Sequence, residues 1–168
     1  ALALAYGAAK NQDEAVATLD KLFQYVHSFH DPTLLEIADS CRTRLSLINE
    51  RESLQPVIPM IKPTSTVGVM AIWCEIPRIT LCRALIAEGS EQNLSKSKEL
   101  LERYAELNKS HHNSSQLITI YCLRAVVYGK KKEYYEAFKW LRQALALARP
   151  GGFLFPFLEL GKPMQELL

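Results

Sequence analysis

The sequence predicts an all-α protein: about four helix–turn–helix units of roughly 40 residues, stacked as a right-handed superhelical solenoid. Three observations predict it. Apolar residues recur at helical period, and the periodic stretches themselves recur at a fixed interval of about 40 residues. Only seven glycines and eight prolines occur among 168 residues, below the usual combined share of roughly 12% and too few turn-formers for a many-stranded sandwich. The composition, 48% apolar and 23% charged, is that of a globular chain rather than a disordered one. A chain this long buries about two-thirds of its unfolded surface and needs no staples.

Each element follows from local pattern. Ala15, Leu19, Leu22, Phe23 and Val26 share one helical face in residues 13–29. Ala137, Leu141, Ala144, Leu145 and Ala148 repeat it, and Ser97, Leu101, Tyr104, Ala105 and Asn108 form a weaker copy. Halving the interval between Ala15 and Ser97 places a further copy near Gln55, which Pro56, Pro59 and Pro63 must shorten or make irregular. Each of these helices follows a partner helix, and the partners end near Tyr6, Ile48, Glu88 and Tyr128. Polar turns at 7–12, 49–51, 89–93 and 129–133 join them. Gly89 and Gly129 read as helix stops, since glycine takes the left-handed conformation at little cost. Asp31-Pro32 reads as a helix start, with Asp as cap and Pro at the first position. Pro77 opens or kinks the helix that follows it. Residues 151–157 are not helical in pattern, and 162–168 are expected to form a short last helix after Gly161. Residues 1–149 are thus repeats and 150–168 a capping tail. The chain opens at Ala1 inside an apolar pattern, without Met or a capping residue, and reads as a segment of a longer array.

Charge and cysteine usage exclude several classes. The net charge is +2 and the pI about 8.4, whereas nucleic-acid binders usually exceed about 9. The one tight basic run, Lys130-Lys131-Lys132, reads as a solvated turn. No run reaches the roughly 18 apolar residues of a membrane span, and no signal peptide is evident. Cys41, Cys74, Cys82 and Cys122 form no C-x-x-C pair, so neither a zinc nor a redox motif is signalled. Each lies in an apolar stretch, the usual setting of a buried thiol, and a reducing, cytoplasmic environment is expected.

Few residues suggest chemistry. Arg44, Arg83 and Arg124 recur once per front helix, and front helices line the concave face on which such solenoids bind partners. Three guanidinium forks there could grip carboxylates, phosphates or sugar hydroxyls. Alternatively their stems cover apolar surface and their heads pair with Glu36, Glu75 or Glu88. His27 and His30 are three apart but lack a matching carboxylate or thiol, and His111-His112 sit in a polar turn, so no metal site is expected. Glu133 and Glu136 suit the positive end of a helix. Among Tyr134, Tyr135, Phe138 and Trp140, helix packing accounts for Phe138 and Tyr134, while Tyr135 is expected on the surface, where stacking on a carbohydrate is conceivable. Phe153, Phe155 and Phe157 alternate with Leu154 and Pro156; they must bury against the last repeat or against a second copy. No nucleophile–base series is present, so no catalytic residues are expected.

The last repeat resembles a tetratricopeptide repeat in the spacing of Tyr121, Ala125, Tyr128, Ala137, Leu141 and Ala144, although the 40-residue period exceeds that motif's usual 34. Tyr6, Ala15, Leu19 and Leu22 match its later part. Three longer strings resemble the MalT-type, LuxR-class ATP-dependent bacterial transcriptional regulators. They are 75–89 (EIPRITLCRALIAEG), 144–153 (ALALARPGGF) and 157–161 (FLELG), the last followed by Pro163-Met164 and Leu167-Leu168. In that family such strings lie in a helical-repeat region between a nucleotide-binding switch and a DNA-binding helix-turn-helix. The family often has Arg where this chain has Phe155, and an acidic pair at Glu159-Leu160, so the tail is more apolar here.

The resemblance implies a signal-sensing and oligomerisation segment that receives a small inducer or an inhibitory protein and can self-associate. It implies no cofactor in this segment, since no G-x-x-x-x-G-K-[ST] loop is present; ATP would belong to an N-terminal domain of the parent protein. DNA would be met only through a separate C-terminal domain. The other expectation is a plain adaptor that binds peptides in its groove.

Overall fold

The computed structural model describes residues 2–49 and 77–168, and every described element is helical. The expected copy near Gln55, Pro56, Pro59, Pro63, Cys74 and Glu75 lie outside the described residues. Two compact units divide at residues 84 and 85.

The first unit contains α1 (Leu2–Ala8), α2 (Gln12–Phe29), α3 (Pro32–Ile48) and the start of α4 (Pro77–Glu88). The α1, α2 and α3 helices pack on one another. Ala15, Leu19 and Val26 are buried, so the face read from the sequence is the inner one. Close approach of α1 to α3 requires Gly7, where a Cβ would collide with Leu45. Gln12 and Asn49 exchange two amide hydrogen bonds of 2.6 Å, tying the start of α2 to the end of α3. Asp31 Oδ1 accepts from the Thr33 N–H at 2.7 Å, and Pro32 opens α3 as expected.

The second unit adds α5 (Glu91–Ser110), α6 (Ser114–Lys130), α7 (Tyr134–Ala148), a 3-10 turn (Arg149–Gly151), α8 (Phe155–Leu158) and α9 (Gly161–Gln165). Its centre is α6, which packs against α5, α7, α8 and α9. That position explains a helix with no polar face: Ile118, Ile120, Cys122, Leu123, Ala125 and Val127 are all fully enclosed. The tail is more helical than its pattern suggested, because Pro156 sits at the start of α8, where a missing N–H costs nothing. Phe157, Met164 and Leu167 are buried in the tail, and α8 and α9 both lie on α6.

Gly89 ends its helix with φ +82°, as expected. Gly129 does not. It lies inside α6, where a Cβ would come within 3.0 Å of Leu167, so its smallness serves tail packing. The left-handed residue in that turn is Lys132, and Lys10 and His112 hold the equivalent places in two other turns. In each the next residue donates its N–H back to a carbonyl five positions earlier: Asn11 to Tyr6, Asn113 to Asn108 and Glu133 to Tyr128, all at 2.9 Å. These are Schellman closures, shared by the α1–α2, α5–α6 and α6–α7 corners. Asn11 and Asn113 then cap the following helices with their side chains.

Candidate functional site

The arginines singled out from the sequence divide between the units. Arg44 on α3 is half-buried and Arg83 on α4 is buried, and neither lacks an interaction partner. Arg124 on α6 shows what a buried front-helix arginine does. Its guanidinium lies over the Trp140 ring, 3.4 Å from the centroid, and an Nη donates to Glu102 Oε1 at 3.1 Å. Tyr121, one turn earlier on α6, packs on the same indole with centroids 5.2 Å apart. One cation therefore joins α5, α6 and α7. Its side chain is 8% exposed against 47% for Glu102, so a cation–π stack, and not a dry ion pair, provides most of its stabilisation. The Arg124 Nε and the Trp140 Nε1 are buried without a hydrogen-bond partner among the described residues.

The sequence paired such arginines with Glu36, Glu75 or Glu88. For Arg124 the partner is Glu102, 22 residues before it on the neighbouring helix. Glu88 has a different role. It accepts from the Ser90 N–H and from Asn93 Nδ2, both at 2.8 Å, across the corner between α4 and α5. These bonds, the Ser90 backbone one foremost, hold its carboxyl below the ordinary carboxylate range. Lys131 donates to Glu91 at 2.9 Å, which pushes its ammonium pKa up and ties the end of α6 to the start of α5. Lys109 is likewise raised, chiefly by its bond to Glu106.

Two cationic contacts had no clear sequence signal. Arg42 pairs with Asp39 and lies over the Phe23 ring at 4.7 Å, linking α3 to α2. Lys98 stands 5.2 Å over Tyr128, linking α5 to α6. Only the Asp39–Arg42 spacing of three was there to be read.

The aromatic run on α7 sorts differently from expectation. Trp140 is half-buried, Tyr135 is 83% exposed as expected, but Tyr134 and Phe138 are also half or more exposed. Ala137, Leu141, Ala144 and Ala148 set the inner face of α7; that phase carries Phe138 to its flank, while Tyr134 shares the stripe but is exposed as the first residue of the helix. Of the tail phenylalanines, Phe157 is buried, Phe155 half-buried and Phe153 exposed beside Leu154. His27 lies in the last turn of α2, His30 takes φ +53° just after it, and His111 Nδ1 lies 2.8 Å from the Leu107 carbonyl. Among the described residues no three His, Cys, Asp or Glu side chains could share a metal ion, and no helix is long and apolar enough to cross a membrane.

Among known families, the one described as MalT-like TPR region matches the chain over residues 1–168. No curated protein and no solved structure matches the chain. A region of this type is a helical interaction or regulatory segment and is typically non-catalytic.

Proposed function

The chain belongs to the MalT-like TPR region family, and from that premise we propose that it is the signal-sensing and oligomerisation segment of a LuxR-class transcriptional activator. The match over the whole chain carries this reading. In it, a small inducer or a regulatory protein binds the repeats in one of two packings and shifts the population toward that packing. DNA binding and ATP binding belong to other domains of the parent protein, which works in the cytoplasm.

Arg44, Arg83, Arg124 and Tyr135 are the candidate ligand contacts. Tyr135 is the best placed for direct stacking, because it is almost wholly exposed. Arg124 would act through the α5–α6–α7 junction, so a ligand that competes for its guanidinium would loosen that junction. Phe153 and Phe155, with exposed Leu154 beside them, are the candidate self-association surface, whereas Phe157 closes the end of the core.

Titration with a panel of sugars and metabolites tests the reading through the melting temperature. A ligand specific to the folded state raises it by mass action, by about 2.7 kcal/mol of stability at a hundredfold excess over Kd. Ligand-independent melting across the panel, together with a monomer at all concentrations unaltered by Phe155→Arg, defeats it. Binding of extended peptides alone would favour the adaptor reading.

A further inference from the structure

The outer face of α7 carries a seam that the helix does not use for its own packing. Tyr135, Phe138, Arg142, Leu145 and Arg149 follow one another at intervals of three and four, the heptad spacing of a helix–helix seam. All five are exposed, Phe138 at 50% and Leu145 at 44%. The inner face, Ala137, Leu141, Ala144 and Ala148, packs on α6. The tail helices α8 and α9 lie on α6.

Charge selects the occupant. The seam contains two arginines and no acid. The single carboxylate within α7, Glu136, is engaged by Lys139 at 3.1 Å. Arg142 and Arg149 make no ion pair among the described residues. A second copy of this chain would bring its own Arg142 and Arg149 into the seam and repel. A helix with apolar residues at heptad spacing and carboxylates beside them would bury Tyr135, Phe138 and Leu145 and neutralise both arginines.

We propose that the outer face of α7 is a docking surface for an acidic amphipathic helix of a partner protein. The inference rests on the protein-binding half of the proposed function and names its face and chemistry. The small-molecule reading shares only Tyr135 with this seam and none of Phe138, Arg142 and Arg149, the residues changed below, so failure of one leaves the other standing.

The test uses two synthetic peptides about three heptads long, each with a leucine seam, one flanked by glutamates and one by lysines. Fluorescence anisotropy with the whole chain should show binding of the glutamate peptide only, weakened by added salt. Phe138→Asp, and Arg142→Glu combined with Arg149→Glu, should each weaken it by roughly tenfold or more. Both alter exposed side chains, so the helical circular dichroism spectrum should be retained, with melts lowered only modestly by acids at the end of α7. No binding, equal binding of both peptides, or binding unchanged in these variants overturns the proposal. So does a concentration-dependent dimer in sedimentation that Phe138→Asp abolishes, since a second copy would then occupy the seam.

Discussion

Ser40 on α3 and Thr80 on α4 share a hydrogen bond between two buried hydroxyls, and they stand 40 residues apart. That separation is the repeat period, so equivalent positions of successive front helices meet side chain to side chain. A buried hydroxyl that loses its partner costs about 1–3 kcal/mol, while removing both partners together costs less. Ser40→Ala and Thr80→Val should each destabilise by about 1 kcal/mol or more, and the double variant by less than their sum. Urea unfolding of the four proteins measures the coupling. Strict additivity would mean that the two hydroxyls contribute independently.

Arg124 is held by shape as much as by charge. Lysine keeps the charge but cannot lie flat on an indole. Arg124→Lys should therefore cost about 1–3 kcal/mol by lost stacking and packing. Glu102→Gln should cost under about 1 kcal/mol, because that carboxylate is half in water. Chemical denaturation of both variants checks the ranking. If Glu102→Gln proved the more damaging, the ion pair would be the dominant contact and the Trp140 stack incidental.

The turn after α6 stores strain that a single substitution can remove. Lys132 has φ +60°, a conformation that costs a side-chain-bearing residue roughly 1–2 kcal/mol. Lys132→Gly should stabilise by up to about 1 kcal/mol, the gain being trimmed by the entropy of glycine in the unfolded chain. Lys130→Gly, within the last helical turn, should instead destabilise by up to about 1 kcal/mol. Opposite shifts in thermal midpoint for neighbouring residues of one type are the expected signature.

The repeat period, the helix ends at Ile48 and Glu88 and the inner faces of α2 and α7 were legible because they depend on apolar spacing within one segment; Leu145, read as part of the α7 face, is instead exposed, since it lies at the edge of the alanine stripe. The left-handed turns were misplaced at Gly129 because two demands compete for glycine. It can supply a positive φ, or it can let another segment approach, and only tertiary packing against Leu167 decides. The same limit applies to Arg124. Nothing within α6 names Glu102 and Trp140, which come from the two neighbouring helices. The sideways phase of Phe138 was available from Ala137, Ala144 and Ala148, whereas Tyr134 shares their stripe and is exposed because it begins α7.

The tail should behave as part of the core of the second unit. Met164 is 1% exposed and Leu167 7%, and both α8 and α9 rest on α6. Met164→Ala should cost about 2–5 kcal/mol, as other large-to-small changes in closed cores do. Leu158→Ala, at an exposed position of the same tail, should shift stability by no more than about 0.5 kcal/mol. Hydrogen exchange in α6 would report the difference: faster in Met164→Ala and unaltered in Leu158→Ala. Equal, small effects would show that the tail contributes nothing to α6.

The corner between α4 and α5 should loosen in acid. Glu88 accepts from Ser90 and Asn93, and its folded pKa is lowered by those bonds. A lowered carboxylate contributes stability that is present above its unfolded pKa, about 4.3, and lost as pH falls through the lower folded value. Protonation weakens the acceptor that the Ser90 N–H and the Asn93 side-chain amide share, so exchange of the Ser90 N–H and the Asn93 side-chain amide should accelerate in that window. Glu88→Gln retains one acceptor oxygen but no charge, and its exchange rates at these amides should show no carboxylate titration beyond the general dependence of exchange on pH. Carboxyl chemical shifts recorded across the acid range give the Glu88 midpoint directly. A midpoint at or above that of freely solvated glutamates would show that the corner draws nothing from this carboxylate.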